Sequence, residues 1–335
     1  MKSSISLKVS NKIYYLYFVM AVMIFGLHSV YMDLFKVNDK VLVFNQIFRI
    51  FWNMAVPTFF FVSALLFYQK PEKRKYMEVV KRKFKTLMVP YLLWNVICWP
   101  LKELKNILQT GRPEETSCIV IIKKILFSEW DPVLWFIRVL FIYFLIYPII
   151  LWIVRKKRCF WLIVILNVAL NIWMGPTKGY STMRYWLPVY MMGAYMAYWH
   201  YDCIFNETAI IYRNIGIASI ILILLIIFAY RSDLGLYICR MLSPFCFWKI
   251  ADVFLSEKKP FWWMKQTFYY YCAQMIFSIV AQKIYLKIFG NSWGSAILAH
   301  ILIPIILLSI LAFTAYFLHR FLNPFWKVLT GARKE

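Results

Sequence analysis

The sequence predicts an all-α integral membrane protein of about ten transmembrane helices, in a single domain covering residues 1–335, with both termini in the cytoplasm. Three observations predict it. Apolar residues make up 62% of the chain and charged residues 16%, below the share of about 25% usual in soluble domains. Apolar runs long enough to cross a bilayer recur from end to end, leaving no room for a sizeable soluble domain between them. The basic residues, which give a net charge of +24, gather in short loops between those runs. Loops of that kind set membrane orientation and meet anionic lipid, so nucleic acid is not an expected partner.

Ten helices are expected in order at 13–32, 47–68, 84–101, 133–154, 159–174, 184–200, 209–230, 235–255, 266–289 and 296–321. The first is longer than the apolar stretch of a cleaved leader and lacks a small-residue cleavage site. Lys2, Lys8 and Lys12 precede it. The loop after the second helix carries Lys70, Lys73, Arg74, Lys75, Lys81, Arg82, Lys83 and Lys85. The turn at 155–158 is Arg-Lys-Lys-Arg, and the tail holds Arg320, Lys327, Arg333 and Lys334. With ten spans all of these fall on one face, which the positive-inside rule assigns to the cytoplasm of a multi-pass membrane protein. The opposite loops are charge-balanced, and the longest of them, 102–131, is placed to cap a site. The seven cysteines are scattered without a C-x-x-C pair, so no metal site or disulfide framework is expected.

The strongest chemical signal is His28, near the outer end of the first helix. An imidazole inside a span is costly and can exchange a proton at neutral pH. From Ile13 it lies about 22 Å up a core of about 30 Å. Arg138 and Arg240 each lie five residues into a descending helix, at a similar depth, and Arg49 and Arg184 sit near outer helix ends. Buried arginines need acceptors, and an anionic ligand would supply one. Asp252 and Asp33 are the nearest internal carboxylates in this reading. His200, His300 and His319 read as interfacial residues.

The ordered words along these helices resemble the acyltransferase-3 family of membrane O-acyltransferases, over nearly the whole chain. The opening from Ile13-Tyr14-Tyr15-Leu16 to His28 is similar to the family's first helix, which ends in its catalytic His. Pro57-Thr58-Phe59-Phe60-Phe61-Val62-Ser63-Ala64 resembles its second-helix stretch. Lys81-Arg82-Lys83, Val89-Pro90-Tyr91-Leu92-Leu93-Trp94, Leu134-Trp135-Phe136-Ile137 and Leu187 to Gly193 follow in the family's order. The chain departs from the pattern at three positions. Tyr17 stands eleven residues before His28, where the family usually has Arg. Ala64 replaces a Gly, and Gln274 occupies a position where His is common.

The resemblance implies an enzyme that moves an acyl group, commonly acetyl, from acyl-CoA in the cytoplasm to a sugar hydroxyl of a surface polysaccharide or its lipid-linked precursor. His28 would be the general base. Arg74, Lys81, Arg82 and Lys83 would clamp the polyanionic acyl-CoA. Arg138, Arg240, Tyr17, Ser63 and Gln274 are candidates for substrate or oxyanion contacts. Acyl-CoA would be a substrate, with no permanently bound cofactor; its partners would be that glycan acceptor and the lipid bilayer. Two other readings stay open: a transporter or flippase for a glycan precursor, and a catalytically inactive scaffold of a polysaccharide assembly complex.

Overall fold

A computed structural model describes residues 5–69, 75–112, 117–205 and 210–332. Among these residues the chain is helical, with no strand. In order the α-helices are α1 (Leu7–Ser29), α2 (Asp39–Asn53), α3 (Ala55–Tyr68), α4 (Tyr76–Lys83), α5 (Val89–Thr110), α6 (Cys118–Phe127), α7 (Trp135–Leu145), α8 (Tyr147–Arg155), α9 (Lys157–Trp173), α10 (Met183–Trp199), α11 (Tyr201–Phe205), α12 (Tyr212–Arg231), α13 (Asp233–Ile250), α14 (Thr267–Phe289), α15 (Trp293–Phe321) and α16 (Asn323–Leu329).

All ten expected segments are largely helical, but ten spans is more than length and composition support. Among the described residues, five helical segments are long and apolar enough to cross a membrane: α1, α2 with α3, α12, α14 and α15. A sixth is counted if the bent pair α7 and α8 forms one span. The chain is a multi-pass membrane protein on this basis. The exposed flank of α12, with Ile220, Ile223, Leu224 and Ile227, is apolar, as a lipid-facing surface must be.

Helix ends and bends follow local chemistry rather than hydropathy. α1 starts six residues before the expected span because Ser6 caps it, its hydroxyl accepting from the Val9 N–H at 3.3 Å. It stops at Ser29, so His28 occupies its last turn. Asn38 likewise starts α2 early by accepting from Val41 N at 3.0 Å. The α2–α3 break lies at Met54. Its cause is Pro57, whose ring clashes with the carbonyl four residues back, at Asn53. Pro148 acts the same way on Phe144, and α7 and α8 meet at 63°. Before Pro90 the chain makes one wide π turn over Phe84–Met88, a feature frequent at functional sites.

Two glycines let helices touch. A Cβ on Gly193 of α10 would lie 2.4 Å from the Phe61 carbonyl oxygen of α3, so only Gly permits that contact. A Cβ on Gly26 would lie 2.6 Å from the Trp52 indole, which packs α2 against α1 just below His28.

Lys12, expected to set topology from a loop, is instead buried inside α1 and ion-paired with buried Asp252. Its ammonium also lies 3.9 Å from the centre of the Trp248 ring. Lys249 stands 3.8 Å from the other Asp252 oxygen. Segment 102–131, expected as an outer loop, is mostly the end of α5 and all of α6.

Candidate active site

α1, α3, α7 and α14 enclose two cavities that lie one above the other along α1. The lower one has a volume of about 540 Å³. Tyr14 and Tyr17 of α1 line it, as do Ser63, Leu66 and Phe67 of α3 and Ile137, Leu140 and Phe144 of α7. These positions recur every three or four residues, so each helix offers one face. Arg82, Lys83 and Lys265 bring positive charge to this cavity, and Thr86 and Leu87 of the π turn complete that side. The Lys83 ammonium lies 3.9 Å from the Phe144 ring centre, and Lys265 lies 5.6 Å from that of Tyr14.

The upper chamber is smaller, about 190 Å³, and holds His28. Its other polar walls are Arg49 and Asn53 of α2 and Tyr180. The Tyr180 hydroxyl donates to Asn53 Oδ1 at 2.7 Å. That bond commits the carbonyl end of the Asn53 amide and leaves its N–H₂ as a donor group. No carboxylate lines the chamber among the described residues.

Phe59, Phe136 and Tyr271 line both cavities and form the partition between them. Phe59 and Phe136 rings lie 6.0 Å apart, and Phe136 and Tyr271 rings 5.7 Å apart. Tyr17 stacks beneath Phe59 at 5.4 Å, with an interplanar angle of 14°. The Tyr271 hydroxyl is held by the Val133 carbonyl oxygen. The partition is therefore one aromatic layer thick, with an imidazole on one face and a long apolar throat on the other.

The residues singled out in the sequence fall into three groups. His28 lines the upper chamber; Tyr17, Ser63, Arg82 and Lys83 line the lower cavity. Lys81 is exposed beside it, and Arg74 lies outside the described residues. Arg138, Arg240 and Gln274 line neither cavity. Arg138 is two residues beyond Phe136, about 200° around the helix, and its guanidinium lies 5.4 Å from the Phe127 ring centre. Gln274 is buried, donating from Nε2 to the Tyr271 carbonyl at 3.1 Å. Arg240 is separated from His28 by Tyr180, whose ring centre is 4.7 Å from its guanidinium. The single layer of His and several Arg expected from depth is thus reduced, in the chamber, to His28 with Arg49.

None of the described residues of 102–131 lines either cavity. His300, expected at an interface, is buried and stacks on Phe48 at 4.9 Å. Lys265, Asn53 and Tyr180 were not singled out by the sequence. Phe59 and Phe136 stood inside the words that carried the resemblance, but nothing in a single sequence marked them, or Tyr271, as a shared wall.

A family model described as "Acyltransferase domain", that of the acyltransferase-3 family, matches residues 13–333. No curated protein matches the chain, and no solved structure does.

Proposed function

The chain belongs to the acyltransferase-3 family of membrane acyltransferases, and from that premise we propose that it O-acylates a saccharide across the partition between its two cavities. The observation that carries this reading is the pair of cavities at opposite ends of α1, separated by one aromatic layer, with His28 on the far side from Arg82, Lys83 and Lys265.

The donor is acyl-CoA, entering from the face rich in lysine and arginine. By the positive-inside rule that face is cytoplasmic, which also puts both termini there. Arg82, Lys83 and Lys265 hold the phosphates. The pantetheine arm threads the throat past Tyr14, Tyr17 and Ser63, bringing the thioester to Phe59, Phe136 and Tyr271. Tyr17 supplies aromatic packing there in place of the cation usual at that position. The acceptor is a sugar hydroxyl of a surface polysaccharide or its lipid-linked precursor, presented to His28 from the opposite side.

The neutral imidazole of His28 takes the hydroxyl proton as the oxygen attacks the thioester carbonyl carbon. Negative charge collects on the former carbonyl oxygen, where Arg49 and the Asn53 N–H₂ can stabilise it. The C–S bond then breaks. The thiolate leaves and takes the proton back from the imidazolium, giving the O-acyl sugar and free coenzyme A. The family's common acyl group, acetyl, is small beside a chamber of about 190 Å³.

The test is the protein reconstituted in vesicles with labelled acetyl-CoA and a saccharide acceptor. Label appearing on the saccharide together with free coenzyme A supports the reading. Uptake of the saccharide without acyl transfer would support transport instead, and neither would support a scaffold.

A further inference from the structure

A third cavity opens beside the His28 chamber and shares Arg49 and Asn53 with it. Its volume is about 660 Å³, and Gln46, Arg231, Asp233 and Arg240 also line it. Three arginines and one aspartate thus share its lining. Asp233 belongs to the first turn of α13, and its carboxylate accepts from the Thr177 hydroxyl at 3.4 Å.

Arg240 is the unusual member. It is only 6% exposed. Its Nη1 donates to the Tyr185 hydroxyl at 2.8 Å, and its guanidinium lies against the Tyr180 and Tyr185 rings. Its Nε has no hydrogen-bond partner, and no carboxylate forms a salt bridge with it among the described residues. A buried cation surrounded by hydroxyls and ring faces is left short of negative charge, a condition that a ligand anion relieves. The position is also informative. Tyr180 contacts Arg240 on one side and hydrogen-bonds Asn53 in the His28 chamber on the other.

We propose that this vestibule binds an anionic group, carboxylate or phosphate, on the acceptor saccharide, and so orients the neighbouring hydroxyl toward His28. The proposal rests on the acyl-transfer reading for the identity of the ligand as an acceptor. The anion comes either from an acidic sugar or from the diphosphate of a lipid-linked precursor, and the two sources are separable.

The experiment is equilibrium binding by calorimetry to protein in phosphatidylcholine nanodiscs, which carry no anionic headgroups. The probes are methyl glucuronide, inorganic pyrophosphate and neutral methyl glucoside. One anion should bind at least about tenfold more tightly than the glucoside, with the preference weakening as salt is raised. Preference for the glucuronide names the sugar's own acid; preference for pyrophosphate names the diphosphate linkage. Arg240→Gln should abolish the preference. Arg231→Gln, at an exposed position that keeps the fold, should reduce it several-fold. His28→Ala should keep it, so a failure of catalysis and a failure of anion binding read separately. Equal binding of all three probes, no binding of either anion at millimolar concentration, or a preference that survives both Arg240→Gln and Arg231→Gln would overturn the proposal.

Discussion

The lower cavity and the upper chamber are walled by the same four helices, yet they carry different chemistry. The lower is large, cationic at Arg82, Lys83 and Lys265, and aromatic along its throat. The upper is about a third of its size and gathers an imidazole, a guanidinium, an amide and two phenols. Buried charge is also handled differently at the two ends. Lys12, at the lower end of α1, is matched by Asp252 inside the protein. Arg240, above, hydrogen-bonds Tyr185 and lies against the Tyr180 and Tyr185 rings, with no salt bridge to a carboxylate among the described residues. The lower end thus neutralises its buried charge within the protein, and the upper end leaves a buried cation without a salt bridge among the described residues. What completes that end, on the proposed function, is the acceptor.

The comparison can be broken one region at a time. The largest effect is expected from His28→Ala, which removes the proposed base and should lower kcat by about 10²–10⁴-fold. Acyl-CoA affinity should not change, because His28 is absent from the lower cavity. A matching loss of acyl-CoA binding would show that the two regions are not separate.

Asp252→Ala tests the other end. It leaves the Lys12 ammonium buried without its carboxylate, and loss of one partner of such a pair costs about 3–5 kcal/mol. Thermal unfolding in detergent should show a large loss of stability, while the folded fraction keeps its turnover per molecule. Retention of full stability would mean that the pair is not structural.

Charge reversal at the lower cavity, Arg82→Glu with Lys83→Glu, should raise KM for acyl-CoA by about tenfold and leave kcat within a few-fold. The wild-type KM should rise with ionic strength, and the variant's should not. An unchanged KM would move the donor elsewhere.

The smallest effect concerns Asp131, which lies in the turn just before α7. Its carboxylate accepts from Val133 N at 3.2 Å and so shapes the turn that delivers Val133 and Phe136 to the chamber. Burial pushes its carboxyl up to about 7 from an ordinary value of 3.8. The folded protein therefore holds this proton more tightly than the unfolded chain. The resulting stability is fully present below about pH 4 and is lost as pH rises through about 7. Wild type should melt at a higher temperature near pH 5 than near pH 8, and Asp131→Asn should flatten that difference. An unaltered difference would assign the pH dependence to another group.

Much of the architecture was legible in the sequence because hydropathy and proline act locally. The ten helical segments were found, as were the words later seen to wall the cavities on α3 and α7. Depth counting put His28 near the top of α1. It did not place the arginines, because depth says nothing about which way a helix faces. Arg138 shows this: at the expected level, it points away from the face that Phe136 presents. Lys12 shows a second limit. A lysine just outside an apolar run reads as a loop charge until its partner, 240 residues away, is seen beside it. The partition of Phe59, Phe136 and Tyr271 is a third case, since three rings from three helices form one surface only in the fold. Span number is a fourth. Helices such as α9 and α10 have 17 residues each, at the short end for a bilayer, so apolar runs outnumber the helices whose length and composition mark them as spans among the described residues.

The central claim, that His28 drives acyl transfer to a surface saccharide, is tested most directly by mass spectrometry of surface glycans. Three strains are needed: wild type, a deletion, and the deletion rescued with His28→Ala at matched membrane abundance. The account predicts loss of one acyl mass from an otherwise intact glycan in both the deletion and the His28→Ala rescue. Full acylation in the His28→Ala rescue would contradict it.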